Sequence, residues 1–251
     1  MAELIIFSLL FLALILLFIV CGKKGLRSLF SLGVTIVILT FAVIPLIIKG
    51  YDPVLVSFVA AIPVTILIIY ITEGFNTLSH LSIVLSIVNF FVITLLVNFA
   101  VLVAHFTGIV SDVSGVVGGE MGINLPKLLI AGIMFGTLGV LIEMVVTQVA
   151  TVSELTIASP TSDKKQIYKQ AYGVGVTHLS SIINTLFLIY AGILLPLLIV
   201  FASDKNFIHD ALNYEPLSNE IVRTLIGTIG LIIAMPTSTA LATWWLKRKV
   251  D

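Results

Sequence analysis

Charged side chains are scarce in this chain of 251 residues. Asp, Glu, Lys and Arg make up 10% of it, against 59% hydrophobic residues. Soluble domains carry roughly 25% charged residues, so the chain lacks the polar surface that a water-soluble fold of this length needs. The remaining surface must face lipid, and the composition predicts an integral membrane protein whose main partner is the bilayer.

Several kinds of reactive or binding group are also missing. Cys21 is the only cysteine, which excludes an intramolecular disulfide and a zinc site built from several cysteines. The sequence has no HExxH, CxxC, GxSxG or Walker-type glycine-rich loop, and its four histidines lie far apart. The net charge is zero and the basic residues are dispersed, which argues against nucleic acid as a partner. We therefore expect no enzyme, no cofactor and no metal site.

The first apolar run lacks the features of a cleaved signal peptide. Residues 4–20 follow an acidic start, Met-Ala-Glu, and lead into Cys21-Gly22 without a small-residue cleavage site. We expect a retained helix that starts outside the cytoplasm.

Seven apolar runs are long enough to cross a bilayer, which takes about 20 residues. Their approximate bounds are 4–21, 29–49, 54–73, 81–106, 128–150, 176–202 and 221–245. Six or eight crossings remain open, because 81–106 is long and Pro236 interrupts the last run. The loops are too short for a second core. We expect an all-α polytopic transmembrane bundle of about seven spans, in a single domain of residues 1–251.

Basic residues predict the orientation of the bundle. Three clusters follow the first, fifth and seventh spans: Lys23, Lys24 and Arg27; Lys164, Lys165 and Lys169; and Lys247, Arg248 and Lys249. Because cytoplasmic loops carry the excess of Lys and Arg, the N-terminus is expected outside and the C-terminus in the cytoplasm. A six-span arrangement without the first helix would keep the C-terminus inside.

The fifth span contains the most polar stripe. Glu143, Thr147, Thr151 and Glu154 are spaced four, four and three residues apart, which places them on one helix face, and Gln148 lies beside them. Polar side chains inside a bilayer usually face a watery cavity or the bundle interior. The stripe predicts either a cavity lining or a packing face with Glu143 bonded to a neighbouring helix.

The sixth span opens with a second polar group. His178, Ser181 and Thr185 share one face, while Thr177, Ser181 and Asn184 form an overlapping one. His178 is either a proton relay near neutral pH or a capping or interfacial histidine.

The seventh span carries Arg223 near its outer end and the run Pro236-Thr237-Ser238-Thr239 further along. Arg223 either belongs to a polar path or extends its side chain to the outer interface. Pro236 removes a backbone donor, which indicates either a broken helix with exposed carbonyls or an ordinary kink filled by the threonines.

Depth connects these spans. Counting from the span centres places Asn89, Glu143, Asn184 and Thr237 at similar heights in the inner half of the membrane. We expect these four side chains to form one polar layer.

The fourth span carries a further stripe toward its outer side, formed by Thr94, Asn98 and His105. It either continues the path outward or makes hydrogen bonds between helices.

A string of short motifs runs through the C-terminal half. They are Ala131-Gly132-Ile133, Gly136-Thr137-Leu138-Gly139-Val140, Val146-Thr147-Gln148, Val152-Ser153-Glu154-Leu155, Gly173-Val174-Gly175 with His178, Asn184-Thr185-Leu186, Tyr190-Ala191-Gly192, Leu195-Pro196-Leu197, Glu220-Ile221-Val222-Arg223-Thr224-Leu225, Gly230-Leu231 and Pro236-Thr237-Ser238-Thr239-Ala240-Leu241. Together they resemble the YibE/F-like family of bacterial membrane proteins. The N-terminal half matches more loosely, at Pro45, Gly50, Pro53 and Phe106-Thr107-Gly108.

The resemblance implies a multi-pass protein of the bacterial plasma membrane. The chain resembles the short form without an extracytoplasmic N-terminal segment, which implies a paralogous YibE/F-like subunit as partner, or a homo-oligomer. Two departures weaken any proposal of ion coupling. Relatives often carry paired aspartates where this chain has Ile142-Glu143, and an arginine where it has Thr177.

The residues together predict a transporter or channel-like permease. Its path would be lined by the fifth, sixth and seventh helices, with Glu143 binding a cation or proton and His178 at the inner mouth. Gln148, Asn184 and Thr237 would be neutral ligands. No ATP site is present, so a gradient or a partner would drive transport. The alternatives are a non-transporting subunit that scaffolds or regulates a paralogous partner and, third, an intramembrane enzyme.

Overall fold

The computed structural model describes residues 2–109, 114, 116–202 and 213–250. Seven α-helices account for most of this part of the chain: α1 (Ala2–Ile38), α2 (Ile44–Ile48), α3 (Pro53–Glu73), α4 (Thr77–Val103), α5 (Leu125–Ala158), α6 (Lys164–Ala202) and α7 (Glu215–Val250). Short π-helical segments occupy Leu39–Val43 and Val116–Glu120. The prediction of an all-α bundle is confirmed.

Six helical segments are long and apolar enough to cross a membrane. They are Leu4–Ile48, Pro53–Glu73, Thr77–Val103, Leu125–Ala158, Lys164–Pro196 and Glu215–Arg248. The long fourth run forms one unbroken helix, and α7 passes Pro236 without a break. Neither feature therefore adds a crossing. A chain with this many apolar helices is a polytopic membrane protein.

The first apolar segment contains both N-terminal spans predicted from the sequence. It has 45 residues, so a straight helix of this length would measure about 67 Å, twice the hydrocarbon thickness. At Gly22 the backbone leaves helical geometry, with φ 54° and ψ −132°. A β-carbon on Gly25 would lie 2.6 Å from the Leu17 carbonyl oxygen, whereas eight residues of straight helix rise about 12 Å. The chain therefore folds back at Gly22 into two arms, each of about 20 residues or more, and so accommodates seven crossings.

Local sequence sets where the next helices begin. Asp52, Asn76 and Asn124 each adopt an extended backbone, and their side chains accept hydrogen bonds from the first turn of α3, α4 and α5. Pro53 follows Asp52 directly, at a helix position where proline costs no hydrogen bond.

Helix α5 is the centre of the bundle and packs against α3, α4, α6 and α7. In its most apolar stretch 61% of the residues are buried, compared with 11% in the corresponding stretch of α6 and none in that of Leu4–Ile48. The main core joins α3, α4, α5 and α7 and includes Ile167 and Ala171 of α6, and a smaller cluster formed by Met144, Leu179, Ile182, Leu231 and Met235 attaches α6 further along. Helix α6 is therefore held along a narrow face.

Polar contacts show which helix termini lie together at each end of the bundle. At one end, Lys127 Nζ forms an ion pair with Asp52 Oδ2 at 2.5 Å. At the same end the Glu215 carboxylate accepts hydrogen bonds from the backbone N–H groups of Thr107 and Gly108, at 2.7 and 2.9 Å. At the opposite end, the buried Lys247 ammonium donates to the Pro160 carbonyl at 2.7 Å. We call these the outer and inner ends, following the predicted orientation, which stays a prediction.

Close packing of α4 against α7 depends on Gly230. A β-carbon there would lie 2.7 Å from Cγ1 of the buried Ile93. We expect Gly230→Ala to destabilise the protein by about 1–3 kcal/mol through overpacking, measured as thermal unfolding in detergent. Gly33→Ala is the control, because no atom lies within 4 Å of its β-carbon position. If Gly230→Ala lowered the stability equally in the wild-type and the Ile93→Ala backgrounds, this explanation would be wrong.

The Asp52–Lys127 ion pair predicts a pH dependence. The hydrogen bond from Lys127 holds the pKa of the Asp52 carboxyl below its ordinary value of 3.8. The folded state therefore favours the carboxylate, and this stabilisation is complete above pH 3.8 and is lost as the pH falls through the lower folded pKa.

Asp52→Asn keeps a residue that caps helices well but removes the charge. Because both partners are partly exposed, we expect Asp52→Asn to lower the free energy of unfolding by about 0.2–1 kcal/mol at neutral pH. Thermal unfolding measured against pH should show the stabilities of wild type and variant converging in acid. Lys127→Met should reduce the difference between them to the part that comes from the backbone N–H groups of Val54 and Leu55, which also lower the pKa of the Asp52 carboxyl. A difference that persists unchanged in acid would mean that the charge is not its source.

Candidate functional site

A buried hydrogen-bond network joins α4 to α7. Asn89 is 3% exposed. Its Nδ2 donates to Ser238 Oγ at 3.3 Å, and its Oδ1 accepts from Thr237 Oγ1 at 2.8 Å. The predicted meeting of Asn89 with Thr237 is thus present in the structure.

A second buried contact joins α5 to α7 beneath α6. Gln148 is completely buried, and its Oε1 lies 2.8 Å from Thr239 Oγ1. Its Nε2 has no hydrogen-bond partner in the described part of the chain. That nitrogen lies against Gly175 of α6, where a β-carbon would come within 2.6 Å of it and 2.9 Å of Met235 Sδ. Gly175 allows α6 to close over the Gln148 amide.

The helix around Pro236 is kinked at most, not broken. Proline has no N–H and clashes with the preceding turn, yet α7 is continuous from Glu215 to Val250. The hydroxyls of Thr237 and Thr239 lie 2.9 and 2.7 Å from the carbonyls of Ile233 and Met235. Of the two interpretations, the structure favours a kink supported by threonines, which also turns both hydroxyls toward α4 and α5.

Glu143 lies away from this core. Its side chain is 60% exposed, and its Oε1 is 3.9 Å from His178 Nε2, whose side chain is 29% exposed. Of the two alternatives for Glu143, the structure shows contact with a neighbouring helix and not a lining of the interior. The pair marks the exposed edge of the α5–α6 contact.

The prediction that four side chains of one chain form a single polar layer is therefore wrong. Asn89 and Thr237 meet, but Glu143 is exposed beside His178, and Asn184 is exposed on α6. The position of a residue along a span predicts its depth in the membrane. The side of the helix on which it lies, buried or exposed, is decided by how the helices pack. The buried face of α5 carries Gln148, which is five residues and about 140° around the helix from Glu143.

The remaining residues of the predicted stripe follow the boundary of the buried face. Thr147 and Thr151 are half-buried, and Glu154 is exposed. Ser181 on α6 is exposed as well. Thr147, Thr151 and Glu154 border the contact of α5 with α6, whereas Ser181 lies about 120° around α6 from Gly175, and none of them lines an interior channel.

Arg223 bends over α5. Its guanidinium lies 3.3 Å from the Glu220 carboxylate, and a β-carbon on Gly132 would be 3.6 Å from Nη2. Arg223 and Tyr190 line a small enclosed cavity of about 10 Å³, room for about one water molecule. Tyr190, Glu220 and Gly175 occur in the short motifs of the C-terminal half. The sequence predicted no role for them, since nothing in a lone sequence shows that they cover α5.

A separate cleft opens at the outer end between α3, α4 and α5. One part of about 380 Å³ is lined by Thr94 and Asn98 with Asp52 and Lys127, and a neighbouring part of about 450 Å³ is lined by Asn98, His105 and Lys127. The predicted stripe of α4 thus faces one cleft. It does not continue the Asn89 network, because Thr94 lies five residues and about 140° around α4 from Asn89.

No three His, Cys, Asp or Glu side chains come together as metal ligands within the described residues. The polar groups of the core are amides and hydroxyls, which bind neutral or weakly charged groups through hydrogen bonds.

The contact of Gly175 with Gln148 predicts an effect of Gly175→Ala. The added methyl group must displace the Gln148 amide and so weaken its bond with Thr239, which we expect to destabilise the protein by about 1–3 kcal/mol. Thermal unfolding in detergent measures this. In a Gln148→Ala background the cost should fall, and Gly173→Ala, with no atom within 4 Å of its β-carbon position, should be nearly neutral. An undiminished cost with Gln148→Ala would contradict the contact.

Comparison with known proteins agrees with the resemblance seen in the motifs. The family model for YibE/F-like proteins matches residues 9–248, a range that includes α2 to α6 completely and nearly all of α7. No curated protein and no solved structure matches the chain. Since the family model covers almost the whole sequence, the chain belongs to the YibE/F-like protein family.

Proposed function

We propose that this protein is a transporter or channel-like permease of the bacterial plasma membrane, with its N-terminus outside and its C-terminus in the cytoplasm. One observation carries the proposal: Gln148 is completely buried, with an unpartnered amide nitrogen, under a helix whose most apolar stretch is only 11% buried. An unpaired buried donor costs about 1–3 kcal/mol. Such costly intramembrane polar groups are typical of substrate and ion pathways.

Helix α6 is the moving element in this proposal. Its inner part is anchored in the main core by Ile167 and Ala171. Further along, it is attached through Leu179 and Ile182, packed on Met144, Leu231 and Met235, and it closes over Gln148 at Gly175. A small tilt of α6 about its anchored inner part would uncover the Gln148 amide and the Thr239 hydroxyl. Asn89 and Thr237 would supply further neutral ligands for a small hydrophilic solute or ion.

Glu143 and His178 take a coupling role in the same proposal. They stand 3.9 Å apart on the two helices that would separate. Movement of α6 changes that distance, so proton or cation binding at the pair would favour one position of α6. Asn184, which is exposed, is removed from the proposed path. We propose no enzymatic reaction, and transport would use an ion gradient or a partner subunit.

Proteoliposomes test this function. Proton flux is followed with a pH-sensitive dye trapped inside, and sodium and potassium flux with ion-selective dyes, under imposed gradients. We expect Gln148→Leu, which keeps volume but removes the amide, to lower flux at least about 10-fold, equivalent to 1.4 kcal/mol. Glu143→Gln should remove the pH dependence of flux. Leu95→Ala, on an exposed apolar site of α4, is the matched control.

Flux unchanged by both Gln148→Leu and Glu143→Gln would rule out the proposed path. Wild-type vesicles that pass none of the three cations would favour the second candidate, a non-transporting subunit that scaffolds or regulates a paralogous partner. Co-expression with a paralogous subunit would then restore flux only in the pair.

A further inference from the structure

Helix α6 turns polar side chains outward within a membrane-spanning segment. Thr177, Ser181 and Asn184 are all exposed, although Lys164–Pro196 is one of the six apolar spans. The exposed Thr185 hydroxyl donates to its own helix, at the Ser181 carbonyl. The side chains of Ser181 and Asn184 make no hydrogen bond within the described part of the chain. Asn184 lies roughly 7 Å from the middle of the predicted span.

Lipid chains cannot satisfy these groups. Acyl chains neither donate nor accept hydrogen bonds, and an amide in an apolar medium without a partner costs several kcal/mol. Thr177 donates to the Gly173 carbonyl of its own helix, and a second polypeptide in the membrane would supply the missing partners of Ser181 and Asn184.

The exposed residues also form a regular seam. Thr177, Ser181, Asn184, Leu188, Ala191 and Leu195 are all exposed and follow one another at spacings of four, three, four, three and four. This 3.5-residue period is that of the a and d positions of a left-handed coiled coil. The inner half of the seam is polar and the outer half is apolar.

We propose that this α6 seam pairs with the α6 seam of a second copy of the chain. Each polar side chain in the seam both donates and accepts, and none is charged, so the surface is complementary to itself. A two-fold axis along the membrane normal brings each residue beside its counterpart at the same depth. Two Asn184 amides then exchange N–H···O bonds and fix the register, as single polar residues do in coiled coils.

The pairing also affects the Glu143–His178 contact. His178 lies three residues from Ser181, almost one turn along α6, so the Glu143 carboxylate flanks the seam. The second copy would cover a carboxylate that one chain leaves 60% exposed.

Cysteine cross-linking in native membranes tests the seam. Cys21 is the only cysteine and is exposed, so Cys21→Ser provides the background. Single cysteines at 181, 184, 188 and 191 should give disulfide-linked dimers on mild oxidation. Cysteines at 187 and 189, which replace exposed residues off the seam, should not. Equal cross-linking at all six positions, or none at the four seam positions, would overturn the proposal.

A second measurement concerns the strength of self-association. Asn184→Ala should weaken self-association about 3- to 30-fold, measured by energy transfer between labelled copies in vesicles. Ser180→Ala is the matched control, because that hydroxyl donates to the Val176 carbonyl of its own helix. Association unchanged by Asn184→Ala would overturn the role of the amide pair. Capture of a different membrane subunit in place of the second copy would overturn the homotypic pairing.

Discussion

The structure depends on one constraint, which is that lipid acyl chains form no hydrogen bonds. Acyl chains offer no partner, so every polar group within the bilayer must be satisfied by the protein. Most intramembrane hydroxyls donate to a carbonyl one turn earlier in their own helix, as Thr94, Thr137 and Thr151 do. Asn89 does the same at the Leu85 carbonyl and also bonds across helices to Thr237 and Ser238. Within the described residues, buried polar atoms without a partner lie at the α6 contact, as Gln148 Nε2 and His178 Nε2 do, and also on other helices, as the hydroxyls of Ser57, Ser86 and Thr228 do.

The two faces of α6 have different surroundings, and the proposals follow from that difference. One face carries Gly175 and closes over Gln148, while the opposite face carries Asn184 and the seam. If α6 is held by its counterpart, the core of α3, α4, α5 and α7 is the part free to shift against it. Transport and self-association would then use opposite faces of one helix, with the Glu143–His178 pair between them.

The sequence was enough to predict the membrane class and the apolar runs. It also predicted that Asn89 and Thr237 lie at one depth, which their hydrogen bond confirms. It failed for Glu143 and Asn184, because helices that are apolar nearly all round do not reveal which face is packed. Gly175 could not be identified either, since its importance comes from the Gln148 amide against it, a contact that exists only after folding.

The reversal at Gly22 has a consequence for the whole molecule. An even number of crossings leaves the two termini on the same side of a membrane, and an odd number leaves them on opposite sides. Helical preference alone would join residues 4–48 into one continuous rod. The φ of 54° at a single glycine divides that rod, a geometry that side chains with a β-carbon resist. Where both arms cross the bilayer, as the seven-span prediction has it, this one backbone angle decides the parity of the topology.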